Sequence, residues 1–235
     1  GGYNKCAVTY YNDKPDLSTE YFKKAISRFL ALGDTARAAM AMQNLAFTYD
    51  EKLSNISFSL NYTLAALELW KVKNDTLSIA NLYKYAGYLM GKQTRFAEGK
   101  KYVDSAITYY TQKQFDKGIA VSLFDLAQIY KYEGRIDSSI YQLLQAKTVW
   151  RKYEEFSRIF PINTELINLY ILSKNDRKIG ALVDENLKLD TKHSDKLLRA
   201  EREAFYLLVR DYYSIKDKRA AGKYDQRYNE IRKSN

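Results

Sequence analysis

The chain has 235 residues, a formal net charge of +10, and only two prolines and ten glycines. A chain of this length can bury a core in one or two domains, and the scarcity of helix breakers favours an all-α protein. One cysteine and one histidine exclude an internal disulfide framework and a Cys/His zinc site.

The N-terminus carries no targeting signal that the sequence reveals. No apolar run approaches the roughly 20 residues that span a bilayer, and residues 1–10 lack the basic-then-apolar order of a signal peptide. Gly1 and Gly2 resemble residues left by cloning, which leaves open that a leader or further domains were removed. We therefore expect a soluble chain, either cytoplasmic or, if a leader was removed, exported to the cell envelope. The sequence leaves its oligomeric state open.

The first predicted helix of each pair follows a break and carries a small residue between two larger ones. Gly33-Asp34-Thr35 and Asn74-Asp75-Thr76 supply a break and then a helix N-cap. The same-face pattern occurs four times, with small anchors that step by 41, 40 and 40 residues. The four copies are Leu45-Ala46-x-x-Tyr49, Ala86-Gly87-x-x-Met90, Leu126-Ala127-x-x-Tyr130 and Leu166-Ile167-x-x-Tyr170.

The second predicted helix of each pair also repeats, over residues 56–70, 96–110 and 136–150. Its aligned columns are the small residues Ser59, Gly99 and Ser139, then Ala66, Ala106 and Ala146, then the aromatics Trp70, Tyr110 and Trp150. Turns are expected at residues 90–96 and 131–137. Small residues let the two helices of a pair approach closely, and we expect the terminal aromatics to face the next pair.

Two helices per forty residues describe a hairpin that can bury its apolar faces only by stacking on its neighbours. The residues resemble the tetratricopeptide repeat (TPR), whose Trp-x-x-Leu-Gly-x-x-Tyr and Ala-x-x-x-Phe pattern is approached in two consecutive units. These are Tyr83-x-x-Ala86-Gly87-x-x-Met90 with Gly99-x-x-x-Val103-x-x-Ala106, and Leu123-x-x-Leu126-Ala127-x-x-Tyr130 with Ser139-x-x-x-Leu143-x-x-Ala146.

The resemblance covers about residues 7–187 and implies a right-handed α-α superhelix, a TPR-like solenoid of antiparallel helix hairpins. The period is 40 residues instead of 34 and the closing proline is absent, which implies lengthened helices, as in kinesin light chains. We predict a repeat array over residues 1–190, with four to five hairpins of which the first is partial. The fourth pair has the bulky Ile167 at its anchor, and Pro161 is expected to start or kink its first helix.

The last part of the chain is predicted to cap the array with a helical pair in residues 191–235. A polar linker is expected at 190–195, with His193 solvated, followed by helices over 196–216 and 218–232. Leu197, Leu198, Ala204, Leu207 and Leu208 form the apolar stripe of the first of these helices.

The TPR resemblance implies a concave groove lined by the first helices, at positions three before, one after and four after each small anchor. Phe47, Tyr88 and Phe124 are predicted to form an aromatic ladder beside Lys84 and Lys131, suited to an extended peptide or a helix. An inner face that binds no ligand remains the alternative. The predicted partner-binding residues are Gln43, Phe47, Asp50, Lys84, Tyr88, Phe124, Gln128, Lys131 and Asn168.

The sequence offers no catalytic motif. It has neither a phosphate-binding Gly-rich loop nor Gly-x-Ser-x-Gly, and His193 has no obvious partner. The basic residues do not recur at repeating surface positions, as a phosphate-tracking groove would require, so nucleic acid is not the expected partner. We predict a non-enzymatic scaffold without cofactor or metal that binds a protein or peptide. A sensory or regulatory segment of a larger signalling protein and an RNA-binding helical repeat are the alternatives.

Overall fold

The computed structural model describes residues 2–233, which form twelve α-helices and contain no strand. The helices are α1 (Gly2–Tyr10), α2 (Pro15–Ala31), α3 (Thr35–Phe47), α4 (Ile56–Lys73), α5 (Thr76–Lys92), α6 (Phe96–Gln112), α7 (Asp116–Tyr132), α8 (Ile136–Lys152), α9 (Phe156–Leu172), α10 (Ile179–His193), α11 (Arg199–Lys216) and α12 (Lys218–Lys233). The predicted all-α class is confirmed. None of the helices in this range combines the length and apolarity that a bilayer-spanning segment needs.

The chain divides into two compact units, one ending at Arg135 and the other beginning at Ile136. In the first unit each helix from α1 to α7 packs on the next along the chain, and α5 also packs on α7. In the second unit α9 contacts α8, α10 and α11, and α11 pairs with α12. The domain division predicted at residue 190 stays a prediction.

Helices in both units end in the same turn, which recurs every 20 residues. One residue of each turn has a left-handed backbone, and the series is Gly33, Ser54, Asn74, Thr94, Gln114, Gly134, Glu154 and Lys174. After α5, the amide of Arg95 donates to the carbonyl of Met90 at 2.9 Å and the amide of Thr94 donates to that of Gly91 at 3.0 Å. This pair of bonds is the Schellman cap. The forty-residue repeat is therefore two helix-and-turn units closed in the same way.

A π-helical turn, Thr48–Lys52, explains why the first anchor step is 41 residues instead of 40. It continues α3, and the closing bond there joins the amide of Asn55 to the carbonyl of Tyr49, six residues apart, at 2.7 Å. In the next turn the corresponding bond joins Asp75 and Trp70, five residues apart. The wider helical turn accommodates one additional residue, so the stacking register is kept on both sides of it.

The small columns lie where the helices of a pair cross. A Cβ atom added at Gly87 would lie 2.7 Å from the carbonyl oxygen of Gly99, so the α5 and α6 backbones are in contact there. Ala66, Ala106 and Ala146 are fully buried. Trp70 packs with Ile79 and Leu82 of α5, and the guanidinium of Arg158 on α9 lies 5.9 Å from the Trp150 ring. The prediction that the terminal aromatics face the next pair is confirmed at both tryptophans.

Two expectations for the fourth pair and the region after it are wrong. Pro161 lies inside α9, which begins five residues earlier at Phe156, so the proline does not start the helix. The predicted linker at 190–195 is mostly helical, because α10 continues to His193 and a 3-10 turn follows over Ser194–Lys196. His193 is half-buried and stacks on Phe156 with ring centroids 4.2 Å apart, instead of being solvated.

A buried ionic cluster explains why this stretch is ordered. Asp190, whose surface is 2% exposed, accepts hydrogen bonds from Arg202 and from the hydroxyl of Tyr206 at 2.8 Å. Arg227 of α12 lies 3.4 Å from the same carboxylate. Burial, and then the neighbouring carboxylate, raises the pKa of Tyr206 above its usual range. Asp190 thereby joins α10, α11 and α12. The two helices predicted after it are confirmed to within three residues at their ends.

Candidate functional site

The candidate site is the side of the first unit that α3 with its π-helical turn, α5 and α7 present, which we call the first-helix face. Eight of the nine predicted partner-binding residues lie on these three elements: Gln43, Phe47, Asp50, Lys84, Tyr88, Phe124, Gln128 and Lys131. Asn168, the ninth, is half-buried on α9 in the second unit. The geometry that follows therefore concerns the first unit alone.

A row of three aromatic rings crosses the first-helix face. The Phe47 ring centroid lies 4.6 Å from that of Tyr85, and the Tyr85 centroid lies 6.3 Å from that of Tyr88. Phe47 is 37% exposed, and both tyrosines are half-buried. Tyr85, which the sequence did not identify as a site residue, thus connects the two rings that it did.

Phe124 does not extend this row. It lies three residues before the anchor Ala127, whereas Phe47 and Tyr88 lie one residue after theirs. The residue of α7 that matches Phe47 and Tyr88 is Gln128. The predicted ladder of Phe47, Tyr88 and Phe124 is therefore replaced by Phe47, Tyr85 and Tyr88.

Hydrogen bonds fix Tyr85 and the charges next to it. Its hydroxyl donates to Oδ2 of Asp50 at 3.2 Å, and Nζ of Lys92 donates to Oδ1 of the same carboxylate at 2.5 Å. The Lys92 ammonium also lies 5.3 Å from the Tyr88 ring centroid. Burial is the main reason that the pKa of Tyr85 is raised, and Asp50 raises it further. Asp50, predicted to contact a partner, is thus 7% exposed at its side chain and serves to hold this row.

A second ion pair joins α5 to α7. Nζ of Lys84 lies 3.9 Å from Oδ2 of Asp125, and the two side chains are 21% and 17% exposed. Burial raises the pKa of the Asp125 carboxyl to about 6, although the charge of Lys84 acts in the opposite direction. A charge-assisted contact at this distance is loose, so a ligand group can compete for either partner.

The other predicted residues play different parts. The indole nitrogen of Trp70 donates to Oε1 of Gln43 at 3.3 Å, so Gln43 helps to join α3 to the end of α4. Gln128 and Lys131 are half-buried on α7. Whether these side chains contact a partner stays a prediction.

An apolar pocket of about 440 Å³ adjoins Phe47. Val8, Tyr11 and Phe22 of the first hairpin contribute to its walls, and Glu51 of the π-helical turn lies at its edge. Val8 is 57% exposed. The sequence did not indicate this pocket, because α1 carries no recognisable copy of the repeat. Phe47 therefore has a ring neighbour, Tyr85, and also borders an open apolar cavity.

Metal-ligating side chains do not converge at the site. Within residues 2–233, no group of three or more His, Cys, Asp or Glu side chains is placed to hold a metal ion.

Comparisons with known proteins place the fold. No family model matches the sequence, and no curated protein matches it. BtubC (BKLC) from P. vanneervenii is 15% identical with a TM-score of 0.77, covering 94% of this chain and 92% of its own. The TPR-like repeats of a putative kinesin light chain from Podosopora anserina are 12% identical with a TM-score of 0.68, covering 83% and 95%.

A signal transduction ATPase with numerous domains and a tetratricopeptide repeat sensor, from Pyrococcus horikoshii, is 16% identical with a TM-score of 0.78. The match covers 97% of this chain and 36% of that protein. At such low identities the likeness concerns the fold. Taken with the recurring hairpins, it shows that this chain has the TPR-like helical repeat fold.

Proposed function

We propose that the chain is a non-enzymatic protein-interaction scaffold that binds a peptide or protein segment on the first-helix face. The observation that carries the proposal is the row formed by Phe47, Tyr85 and Tyr88. Apolar rings on a surface that the hairpins do not need for stacking suit a partner's side chains, and aromatic residues are enriched among the residues that dominate interface energies.

The rigidity of the row supports the same conclusion. Tyr85 is hydrogen-bonded to Asp50, and Lys92 spans Asp50 and the Tyr88 ring, so these side chains are already ordered before a partner arrives. Binding to ordered side chains loses less conformational entropy than binding to mobile ones. The pocket beside Phe47 adds a concave apolar site for one large side chain of the partner.

The test starts from a random-peptide display selection against the whole chain. A selected peptide should bind the Phe47→Ala/Tyr88→Ala variant at least about thirtyfold more weakly, as the loss of hot-spot aromatics predicts. Tyr141→Ala is the matched control, because Tyr141 is a 59% exposed aromatic on α8, outside the face. Circular dichroism checks that both variants are folded. Full affinity in the double variant would exclude the first-helix face as the binding surface.

A sensory or regulatory segment is the second candidate, favoured by one observation. The Pyrococcus horikoshii protein, whose fold matches nearly all of this chain, contains a tetratricopeptide repeat sensor as part of a larger signal transduction ATPase. The complete gene decides this point, since a kinase, ATPase or DNA-binding domain in the same reading frame would favour a regulatory role.

RNA binding is the third candidate and rests on the net charge of +10. Several cations are already paired with carboxylates in the fold, for instance Lys92 with Asp50 and Lys100 with Glu133. We therefore expect weak, sequence-indifferent binding to RNA that fades between about 50 and 200 mM salt, as counterion release predicts. Submicromolar, sequence-selective binding at physiological salt would favour RNA as the partner.

A further inference from the structure

The positive charge of the chain is concentrated in its last forty residues. Residues 196–235 contain 11 basic and 6 acidic residues, an excess of 5, which is half of the net charge of +10. Neither the repeat pattern nor the first-helix face accounts for this excess. Its position on the helices after α10 is therefore of interest.

A pocket of about 610 Å³ lies in this part of the second unit. Its apolar lining comes from Leu187 of α10, Tyr206 of α11, and Ala220 and Tyr224 of α12. The charged side chains around it are Asp217, Arg219, Lys223 and Arg227. The volume falls within the range of small-molecule sites, about 300–1,000 Å³.

Two of the three cations at the pocket are not neutralised. Arg227 is paired with Glu230 at 3.0 Å and lies 3.4 Å from the buried Asp190. The side chains of Arg219 and Lys223 form no ion pair within residues 2–233. They are four residues apart on α12 and hence lie on the same side of that helix.

The start of α12 adds further positive potential. Oδ1 of Asp217 accepts hydrogen bonds from the backbone amides of Arg219 and Ala220, each at 3.0 Å, so the pocket's exposed acidic residue already serves as the helix cap. The first turn of α12 contains no acidic residue and begins with Lys218 and Arg219. Cations at the positive end of a helix dipole are unfavourable, and an anion bound beside them relieves this repulsion.

We propose that this pocket binds a small organic anion that carries one planar apolar ring, such as an aryl phosphate or an aryl carboxylate. The anionic group lies between the Arg219 guanidinium and the Lys223 ammonium. The ring lies against Tyr224, Leu187 and Ala220. Tyr206, 3% exposed and hydrogen-bonded to Asp190, supports the floor of the pocket without offering a free hydroxyl.

The experiment is a titration of the full chain with phenyl phosphate, followed by chemical-shift changes of assigned backbone amides. We expect saturable shifts at residues 219–224 with a dissociation constant of about 10 mM or tighter, as expected for a ligand of this size. Inorganic phosphate and benzyl alcohol each carry one of the two features, and both should bind more weakly than phenyl phosphate. A parallel titration with benzoate tells whether the preferred anion is phosphate or carboxylate.

Paired variants test the residues. Arg219→Ala/Lys223→Ala should weaken phenyl phosphate binding about tenfold or more, because it removes two charge-assisted contacts. Arg177→Ala/Lys192→Ala removes the same charge from exposed positions of the second unit outside the pocket lining and should leave the binding unchanged. If Arg219→Ala/Lys223→Ala does not fold, Lys223→Gln is used in its place.

Three results would overturn the proposal. The first is the absence of saturable shifts in the wild-type chain. The second is equal weakening by both double variants, which would indicate a general effect of charge. The third is binding of benzyl alcohol as tight as that of phenyl phosphate, which would indicate an apolar cavity without anion recognition.

Discussion

Two glycines allow α5 and α6 to cross with their backbones in contact. A Cβ atom at Gly99 would lie 2.8 Å from the carbonyl oxygen of Gly87 and 3.2 Å from the backbone nitrogen of Gly91. Backbone atoms cannot move aside as a flexible side chain can, so the helices would have to separate. We predict that Gly99→Ala destabilises the protein by about 1–3 kcal/mol, more than the helix-propensity gain of about 1 kcal/mol.

Gly222→Ala provides the matched control for this prediction. Gly222 lies within α12, and a Cβ atom there would meet no atom within 4 Å. The change should therefore stabilise the protein by about 0.4–1 kcal/mol, chiefly through the unfolded chain. Urea unfolding followed by circular dichroism measures both. The account of the crossing fails if Gly99→Ala is as stable as the wild type.

Asp125 should make stability depend on pH. Burial raises its pKa in the folded state from 3.8 to about 6. Between these values the folded state holds a proton that the unfolded state has released, so stability falls as pH rises from about 4 to about 6. Above that window the unfavourable contribution is fully present. We predict that Asp125→Asn becomes more stable relative to the wild type across this window, by about 2 kcal/mol.

A second variant separates this effect from general acid denaturation. The charge of Lys84 lowers the pKa of Asp125, so Lys84→Gln should move the pH-dependent fall in stability to higher pH. Unfolding free energies measured at pH 4 and pH 7 test both variants. An Asp125→Asn difference that is the same at both pH values would contradict the assignment.

Residues with a role in packing were easier to predict than those with a role in polar networks. The small anchors and terminal aromatics recur at fixed spacing, which a single sequence displays. Tyr85 and Asp190 do not recur, and their roles depend on partners 35 and 16 residues away, Asp50 and Tyr206. A tyrosine in a helix and an aspartate in a polar stretch look like solvated residues until the fold brings their partners to them.

The recurring turn is the feature that unites the helices as elements. Its left-handed residue is glycine at Gly33 and Gly134 and a different residue type elsewhere, including the β-branched Thr94, whose φ is 61°. A left-handed backbone is unfavourable for residues with a Cβ atom, and most of all for branched ones. The turn is therefore imposed by helix stacking, and each side chain there stores a small amount of strain.

Exchanging residues at two of these turns tests this view. Thr94→Gly should stabilise the protein by up to about 1 kcal/mol because it relieves the strain. Gly134→Ala, at φ 79° and with open space around the added Cβ atom, should destabilise it by about 1 kcal/mol. Thermal and urea unfolding of the two variants measure the changes. Effects of the same sign at both turns would show that backbone strain does not govern these positions.

The sequence predicted the helices and their turns well but not the twenty-residue period. The left-handed positions share no residue type, so nothing in the side chains marks them. The π-helical turn was equally hidden: the 41-residue step indicated an additional residue, but not that Thr48–Lys52 would accommodate it by widening the helix. Both features are backbone responses to packing, which one sequence does not encode locally.

At the scale of the whole molecule, the fold was predictable because stacking repeats a small set of contacts. The TPR-like fold follows from the spacing of the anchors alone. The region after the repeats was harder, because α10 is extended through the predicted linker by the Asp190 cluster, which has no counterpart in the repeat. The candidate binding face was predicted in outline, since the first helices carry it, while its central ring, Tyr85, and the pocket beside Phe47 required the structure.

The most direct test of the central claim is hydrogen–deuterium exchange of the whole chain with and without a display-selected peptide. If the first-helix face binds the peptide, amide protection should increase in residues 43–52, 84–92 and 124–131, on α3 with its π-helical turn, α5 and α7. The second helices α4 and α6 should change little. Protection confined to residues 56–73 and 96–112, or to residues 196–233, with no change on the first helices, would contradict the account.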